Sequence, residues 1–489
     1  MNFDNTYVLL PDTFYSESGG SYFSDPQLLA YNEDLAKELG IDLKDKSNDE
    51  LAEIFCGMKV LKGSCNISMV YSAHQFGYFS GRLGDGRAML LGEVVDPNGK
   101  RFDIQLKGSG PTEYSRNGDG LSALGPVIRE YIVSEAMHKL GVPATRALAA
   151  VLTGDPVYRQ QILPGAVFTR VAASHIRIGT FQHFASTGDI EGLKTLLKYT
   201  IKRHYPHINE SKENTHEAIL FLREVIKKQS SLVSQWATYG FIHGVMNTDN
   251  TTVSGETIDF GPCAFMDNYK ADKVFSSIDR GGRYAYNQQS AICGWNICRL
   301  ADCLIPLVDK DSEKAIEILN EELSGLNKIL EDAWLQRMIL KFGLEAKTEN
   351  SDKDERLISS FLVCLENNEL DFTLAFRKLS NLLEDGSKDC FFPLSDEFTE
   401  FLKLWRNRIT QESKDLSGIK AAMESVNPLY IPRNHQVERA IKAAENGDLK
   451  IFHELNKVLQ KPFTYQAELD RYSLPPMPEE EVKATFCGT

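Results

Sequence analysis

The sequence predicts an α+β fold of two lobes, strand-rich in the first and mainly helical in the second, with a helical extension at the C-terminal end. Two observations carry this prediction. The runs Tyr71–Glu93, RFDIQLKG from Arg101, Ala144–Leu152 and Ala166–Ala172 are short, apolar or alternating, and separated by Gly, Pro, Asn and Asp, the pattern of strands and turns. From Asp189 onward the apolar period becomes that of helices. The predicted division is an N-terminal extension over 1–70, the strand-rich lobe over 71–185, the helical lobe over 186–425 and the C-terminal extension over 426–489.

In chain order, Asn32–Leu39 reads as a helix opened by a capping Asn and closed by Gly40, and Asp49–Phe55 as a second short helix. Tyr71–Glu93 reads as two strands joined by a turn bearing Gly81, Gly84 and Gly86. Such a turn lets backbone N–H groups approach phosphate oxygens, and Arg87 adds a fixed positive charge. The same residues also suit a plain hairpin. After the turn Asp96-Pro97-Asn98-Gly99, the next strand puts Phe102, Ile104 and Leu106 on one face and Asp103, Gln105 and Lys107 on the other. In isolation Lys107 reads as a solvated strand lysine. Gly108–Ser122 is a glycine-bearing loop in which Arg116, Asp119 and Gly120 could meet a ligand.

A helix follows, with Pro126 in its first turn and Gly141 and Pro143 stopping it; Glu130, in its second turn, reads alone as a surface residue. Turns at Gly154-Asp155-Pro156 and Pro164-Gly165 separate the next strands, and Arg170 and Arg177 near a strand end could clamp phosphates or be surface charge. Helical periodicity then covers Ile190–Tyr205, His216–Tyr239, Ile292–Val308, Ser312–Leu340, Arg356–Glu366, Asp371–Leu383 and Asp396–Glu412. The final SLPPMPEEEVKATFCGT reads as a mobile tail.

The chain has 489 residues, 42% apolar and 25% charged, ordinary for a globular protein with a large core. A formal charge of −14 argues against broad binding to nucleic acid or an anionic membrane, and leaves a local basic pocket open. No apolar run approaches 18 residues, so no membrane span is expected. The start, MNFDNTYVLLPDTFYSE, lacks the features of a signal peptide. Nine scattered cysteines, three of them five apart at Cys293, Cys298 and Cys303, fit neither metal pairs nor a disulfide framework. The expected location is cytoplasmic, with no nucleic-acid or membrane partner.

HGVMNTDN at His243–Asn250 and TIDFGP at Thr257–Pro262 set Asp249 and Asn250 just ahead of Asp259-Phe260-Gly261. Short carboxylate and carboxamide side chains at this spacing suit a Mg²⁺ site on nucleotide phosphates, although the stretch alone is also ordinary turn chemistry. A glycine-rich turn, a strand lysine, a helix glutamate and then this pair follow the order of a protein-kinase-like fold. One position departs from it. Where kinases carry the catalytic Asp, two residues after the His, Val245 stands, and valine accepts no proton.

HQFG, LGDGR, LKGSG, SRNGDG, IREYIVSEAMHKLGVPATRAL, HGVMNTDN, TIDFGP and NPLYIPRN together resemble the selenoprotein O family of protein adenylyltransferases, also called the YdiU family. The resemblance implies a kinase-like fold that binds ATP in a flipped orientation and transfers AMP, with release of pyrophosphate, to Ser, Thr or Tyr hydroxyls of proteins. It implies nucleotide contacts from Gly84, Gly86, Arg87, Lys107, Asp119, Gly120, Arg170, Arg177 and Asp259. It also implies a Lys107–Glu130 pair, Mg²⁺ or Mn²⁺ on Asn250 and Asp259, and Asp249 as proton acceptor. Two features depart from the family pattern. Leu121 stands where many relatives carry Arg after GDG, and no cysteine stands at the usual position for pairing with the C-terminal Cys487, so Cys263–Cys487 is the expected substitute pair. Transfer of UMP or another nucleotide, and an ATP-binding scaffold without catalysis, remain as alternatives.

Overall fold

The computed structural model describes residues 1–210, 215–347, 350–384, 391–393, 395–412 and 415–486. It is mixed α and β, with a strand-rich sheet region followed by a helical part. In chain order the strands are β1 (Tyr15–Glu17), β2 (Gln27–Tyr31), β3 (Ile67–Met69), β4 (Ala73–Gln75), β5 (Tyr78–Ser80), β6 (Ala88–Val95), β7 (Arg101–Lys107), β8 (Ser122–Ala123), β9 (Arg146–Tyr158), β10 (Ile162–Ala172), β11 (Phe241–Ile242) and β12 (Ala264–Phe265). One sheet runs β1-β3-β6-β7-β10-β9-β2, with β8 added on β10, while β4 pairs only with β5 and β11 with β12. The N-terminal segment therefore supplies both edges of the sheet: Tyr15 pairs with Met69, and Gln27 with Leu152.

Two strand expectations are corrected. The strands before and after the LGDGR turn do not pair across it: β4 and β5 form a separate hairpin, and β6 pairs with β3 and β7. The turns expected at Gly154-Asp155-Pro156 and Pro164-Gly165 lie inside two long strands, β9 and β10, as a local register shift opposite Pro164–Ala166. Gly154, at φ +78°, accommodates the irregularity without breaking the ladder.

β7 alternates as expected, but both its faces are covered. Ile104 and Leu106 pack with Met89, Val167 and Phe55 in one apolar cluster. Asp103, Gln105 and Lys107 are buried as well, so Lys107 is no solvated lysine. The polar face is covered because it meets partners of its own: Arg203 donates to Asp103 Oδ1 at 2.5 Å, Gln105 lies between Asp85 and Arg170, and Lys107 faces the cavity described below.

The helices are α1 (Glu33–Glu38), α2 (Asn48–Phe55), α3 (Leu124–Lys139), α4 (Ile178–Thr187), α5 (Ile190–His204), α6 (Glu217–Tyr239), α7 (Gln289–Val308), α8 (Ser312–Leu323), α9 (Leu326–Leu340), α10 (Ser351–Asn367), α11 (Phe372–Leu379), α12 (Asp396–Glu412), α13 (Leu416–Val426), α14 (Asn434–Glu445) and α15 (Lys450–Leu459). Local chemistry starts several of them. Leu35 N–H donates to Asn32 Oδ1 at α1, Ser47 and Glu50 form a capping box at α2, and Gly192 N–H donates to Asp189 Oδ1 at α5. The single helix expected over Ser312–Leu340 is two, broken at Ser324-Gly325. α4 was not expected, because IGTFQHFAST is a weak helix former. Burial of Ile178, Phe181 and Phe184 holds it in place, and Gly179 lets Ser72 O lie 2.3 Å from where a Cβ would stand.

By length and composition alone, Tyr286–Val308 is long and apolar enough to cross a membrane. It packs against α4, α6, α8 and α9, with Ile297, Leu300 and Leu304 buried in the main core. The C-terminal extension is integral. Val437, Ile441 and Phe452 of α14 and α15 pack on Ile128, Tyr131 and Ile132 of α3. The expected mobile tail is anchored at Thr485, which is buried, donates to Pro262 O at 2.5 Å, and accepts at its carbonyl from Ser277 N at 3.0 Å.

Candidate active site

Between the sheet and the helical part lies a cavity of about 300 Å³ lined by β7, β10, the glycine loop after β5, and the segments 245–250 and 259–262. Lys107, the last residue of β7, donates from Nζ to Glu130 Oε2 of α3 at 2.7 Å and to Asp259 Oδ1 at 2.6 Å. Glu130 is buried, so the surface role it suggests in isolation does not hold. Arg170 of β10 donates from Nη1 to the same Asp259 oxygen at 2.7 Å and from Nε to Gln105 Oε1 at 2.8 Å. Arg177, at the start of α4, donates to Asp85 Oδ1 at 3.3 Å and lies 4.4 Å over the Tyr71 ring. Asp85 is buried, and its Oδ2 accepts from Gln105 Nε2 at 3.0 Å and Met69 N at 3.2 Å. Three cations therefore line one cavity, each oriented by a partner behind it.

The glycine loop is built around Tyr114. Gly84 has φ +134°, and a Cβ there would stand 2.4 Å from the tyrosine ring; one on Gly86 would stand 2.7 Å from Tyr114 O. Gly86 and Arg87 line the cavity, while Gly84 shapes the loop behind them. Asp119 and Gly120 are not brought to the cavity wall. Asp119 is paired with Arg159 at 2.7 and 3.0 Å, and Gly120 packs against Gly110 O. Arg159 also donates to Leu121 O at 3.1 Å, so a guanidinium reaches the main chain at the position where the family pattern has an arginine side chain.

The second wall is the pair of acidic segments. His243 is buried; its Nδ1 accepts from Val245 N at 3.3 Å, so its Nε2 carries the proton given to Ile258 O at 2.8 Å. This imidazole ties the two segments together and does not face the cavity. Val245 lines the cavity and leaves no carboxylate there. Asn250 commits its Nδ2 to Val245 O at 3.0 Å, which leaves Oδ1 as its acceptor. Asp259 holds φ +64°, a left-handed backbone that costs an aspartate on the order of 1 kcal/mol. Both of its cationic contacts fall on Oδ1.

The two aspartates differ electrostatically. Burial raises the Asp249 carboxyl to about 6, despite the opposing pull of Arg177. Burial would raise Asp259 too, but Lys107, Arg170 and Arg177 hold it well below the usual carboxylate range. Asp249 Oδ2 accepts from Gln75 Nε2 at 2.9 Å, and its buried Oδ1 has no partner. Among the described residues, no three His, Cys, Asp or Glu side chains gather into a closed metal site. Asn250 and Asp259 form an open oxygen pair, which fits a hard cation that keeps water and phosphate ligands.

Asp85, Gln105, Asn247 and Gln75 belong to this site and were not singled out from sequence. Asp85, Asn247 and Gln75 lie inside LGDGR, HGVMNTDN and HQFG, so the motifs themselves were the available signal. Of the expected Cys263–Cys487 pair, Cys487 lies outside the described residues, and Cys263 is buried with Sγ donating to Phe260 O at 3.4 Å.

The chain is similar to known proteins along its length. Residues 1–460 match the family model described as Protein adenylyltransferase SelO. Over its full length the chain is 51% identical to the protein nucleotidyltransferase YdiU of Rhizobium etli, covering 97% of that protein. It is 50% identical to that of Agrobacterium fabrum, covering 100% of it, and 48% identical to that of Bacillus cereus, covering 98%. The chain thus belongs to the SelO (YdiU) family of protein nucleotidyltransferases.

Proposed function

We propose that the protein transfers AMP from ATP to the hydroxyl of a Ser, Thr or Tyr residue in a protein, and that its two lobes have the protein-kinase-like arrangement with ATP between them. One observation carries this reading: a cationic wall of Lys107, Arg170 and Arg177 shares a cavity with Asp249, whose Oδ1 has no partner. The cations suit a triphosphate, and the carboxylate oxygen suits a hydroxyl proton. Val245 beside them supports a reaction other than ordinary γ-phosphoryl transfer. The family descriptions, protein adenylyltransferase and protein nucleotidyltransferase, point the same way.

In the proposed reaction the acceptor O–H bond breaks, its proton passes to Asp249 Oδ1, and the oxygen bonds to the α-phosphorus. The bond from that phosphorus to the α–β bridging oxygen breaks, and pyrophosphate leaves. Lys107, Arg170 and Arg177 offset the charge that gathers on pyrophosphate. Gly86 leaves the cavity wall free of a side chain, and Arg87 brings a guanidinium to the phosphates. Catalysis then rests on alignment of hydroxyl and α-phosphorus more than on a strong nucleophile. Asn250 Oδ1 and Asp259 would hold Mg²⁺ or Mn²⁺, which when bound would neutralise phosphate charge. A cytoplasmic location completes the proposal, supported by the scattered cysteines.

The test is incubation with Mg²⁺, a cell lysate, and ATP labelled at either the α or the γ phosphate. Label on protein from the α position alone is expected. Label from γ alone would make the protein a kinase, and label from neither would make it a non-catalytic binder. A parallel α-labelled UTP arm reads the base preference, and stronger labelling from UTP would overturn the choice of AMP.

A further inference from the structure

The hairpin of β4 and β5 stands apart from the main sheet, pairs only with itself, and touches the candidate catalytic segment through three successive residues. His74 N–H donates to Thr248 Oγ1 at 2.8 Å, Gln75 Nε2 to Asp249 Oδ2 at 2.9 Å, and Phe76 N–H to Asn247 Oδ1 at 3.1 Å. Each hairpin residue thus binds one residue of Asn247-Thr248-Asp249. The joint is braced on both sides. Thr248 Oγ1 donates to Gln182 Oε1 at 2.5 Å, and Gln182 Nε2 donates to His74 Nδ1 at 2.6 Å, closing a ring through α4. Tyr284 OH donates to Asn247 Oδ1 at 2.6 Å.

The turn of the hairpin is strained. Phe76 has φ +51° and Gly77 φ +87°, a two-residue turn with both central residues left-handed, where Asn or Gly is the usual first residue. A phenylalanine there costs on the order of 1 kcal/mol or more, and such strain gathers where geometry must be held. The turn orients the Phe76 N–H toward Asn247 and sends the Gln75 side chain to Asp249.

We propose that Gln75 is a positioning residue of the transfer reaction: its amide fixes Asp249 through Oδ2 and leaves Oδ1 as the proton acceptor for the incoming hydroxyl. The inference rests on the transferase reading above. The choice of an amide matters. Lysine or arginine in its place would neutralise the carboxylate, and a second carboxylate would repel it. A neutral donor orients the group while its charge remains available. The partnerless, buried Oδ1 is the counterpart of that bond. Gln75, like Asp249, lines the cavity.

The test compares the wild type, Gln75→Met, Gln75→Glu, Asp249→Asn and the double variant Gln75→Met/Asp249→Asn. The probe is α-labelled ATP with the enzyme's own surface hydroxyls as acceptor. Nucleotide affinity is measured separately by calorimetry with a non-hydrolysable ATP analogue and Mg²⁺. Gln75→Met, which keeps volume and loses the donor, is expected to lower the rate at saturating ATP by about 10- to 100-fold with affinity unchanged within about twofold. Gln75→Glu is expected to lower it further. In the Asp249→Asn background, Gln75→Met is expected to have no added effect, because the two act as one unit.

Wild-type rate in folded Gln75→Met overturns the inference. So does a loss of rate matched by an equal loss of affinity, or a full added loss in the double variant. A wild-type enzyme that places no α-label on protein overturns the transferase reading itself, so the two failures are distinct.

Discussion

Arg433 and Asp371 meet as a buried two-point fork, with Nη1–Oδ2 at 2.8 Å and Nη2–Oδ1 at 3.1 Å. Arg433 Nη1 also donates to Asp267 Oδ1 at 2.6 Å, and Nε to Ser473 O at 3.0 Å. One side chain thereby joins the start of α14, the start of α11, the chain after β12 and the tail. Arg433→Ala strands the buried Asp371 and the half-buried Asp267 and is expected to cost about 3–5 kcal/mol. Arg433→Lys should recover little, because an ammonium cannot serve both arms of the fork. The midpoint of urea unfolding measures both; a shift of less than about 1 kcal/mol, the value of a surface ion pair, would refute the assignment.

Asp259→Asn tests the acidic pair with little backbone disturbance, since asparagine also tolerates the left-handed conformation that Asp259 adopts. The variant removes the charge shared by Lys107 and Arg170. α-Label transfer is expected to fall at least about 100-fold while the circular dichroism spectrum is retained. Transfer at the wild-type rate in a folded variant would remove Asp259 from the proposed site.

Gly84→Ala is expected to destabilise the protein by about 1–3 kcal/mol and to weaken ATP binding. Its Cβ would meet the Tyr114 ring at 2.4 Å, on a backbone at φ +134° that an L side chain rarely adopts. Thermal unfolding and calorimetric titration of nucleotide read the two effects separately.

His204 makes the fold acid-sensitive. Burial, aided by Arg203 and Lys228, lowers its imidazole to about 3, and its Nε2 lies 2.7 Å from Ser174 Oγ. The unfolded chain protonates this ring near 6.5, so between about 6.5 and 3 the unfolded state binds more protons. Stability from this residue is complete above that window and is lost as pH falls through it, by at most about 1.4 kcal/mol per pH unit and less for a partly exposed ring. His204→Gln should show a shallower loss of unfolding free energy than the wild type from about pH 7 down to about pH 5. Parallel slopes would show that the ring does not carry the effect.

Much of the site was legible because its residues lie in short motifs at element ends. Lys107 closes an alternating strand, Glu130 sits in the second turn of a helix that has Pro126 in its first, and Asp249, Asn250 and Asp259 flank turns. Their partnerships were not legible. Nothing in RFDIQLKG shows that Asp103, Gln105 and Lys107 face other charged groups and not water, because that depends on Arg203, Arg170 and Glu130 arriving from elements far along the chain. α4 escaped for a similar reason: tertiary burial of Phe181 and Phe184 outweighs weak local propensity. Asp119 carried a strong motif yet pairs with Arg159, a partner that no local pattern announces.

The order of strands in the sheet differs from their order of synthesis. β1 and β2 leave the ribosome first, yet Tyr15 must wait for Met69 and Gln27 for Leu152 before either edge can close. β2 therefore waits longest for its partner, and for that interval it is an unsatisfied edge open to pairing with other chains. Folding of this lobe is governed by distant pairings, which places it among slow-folding topologies.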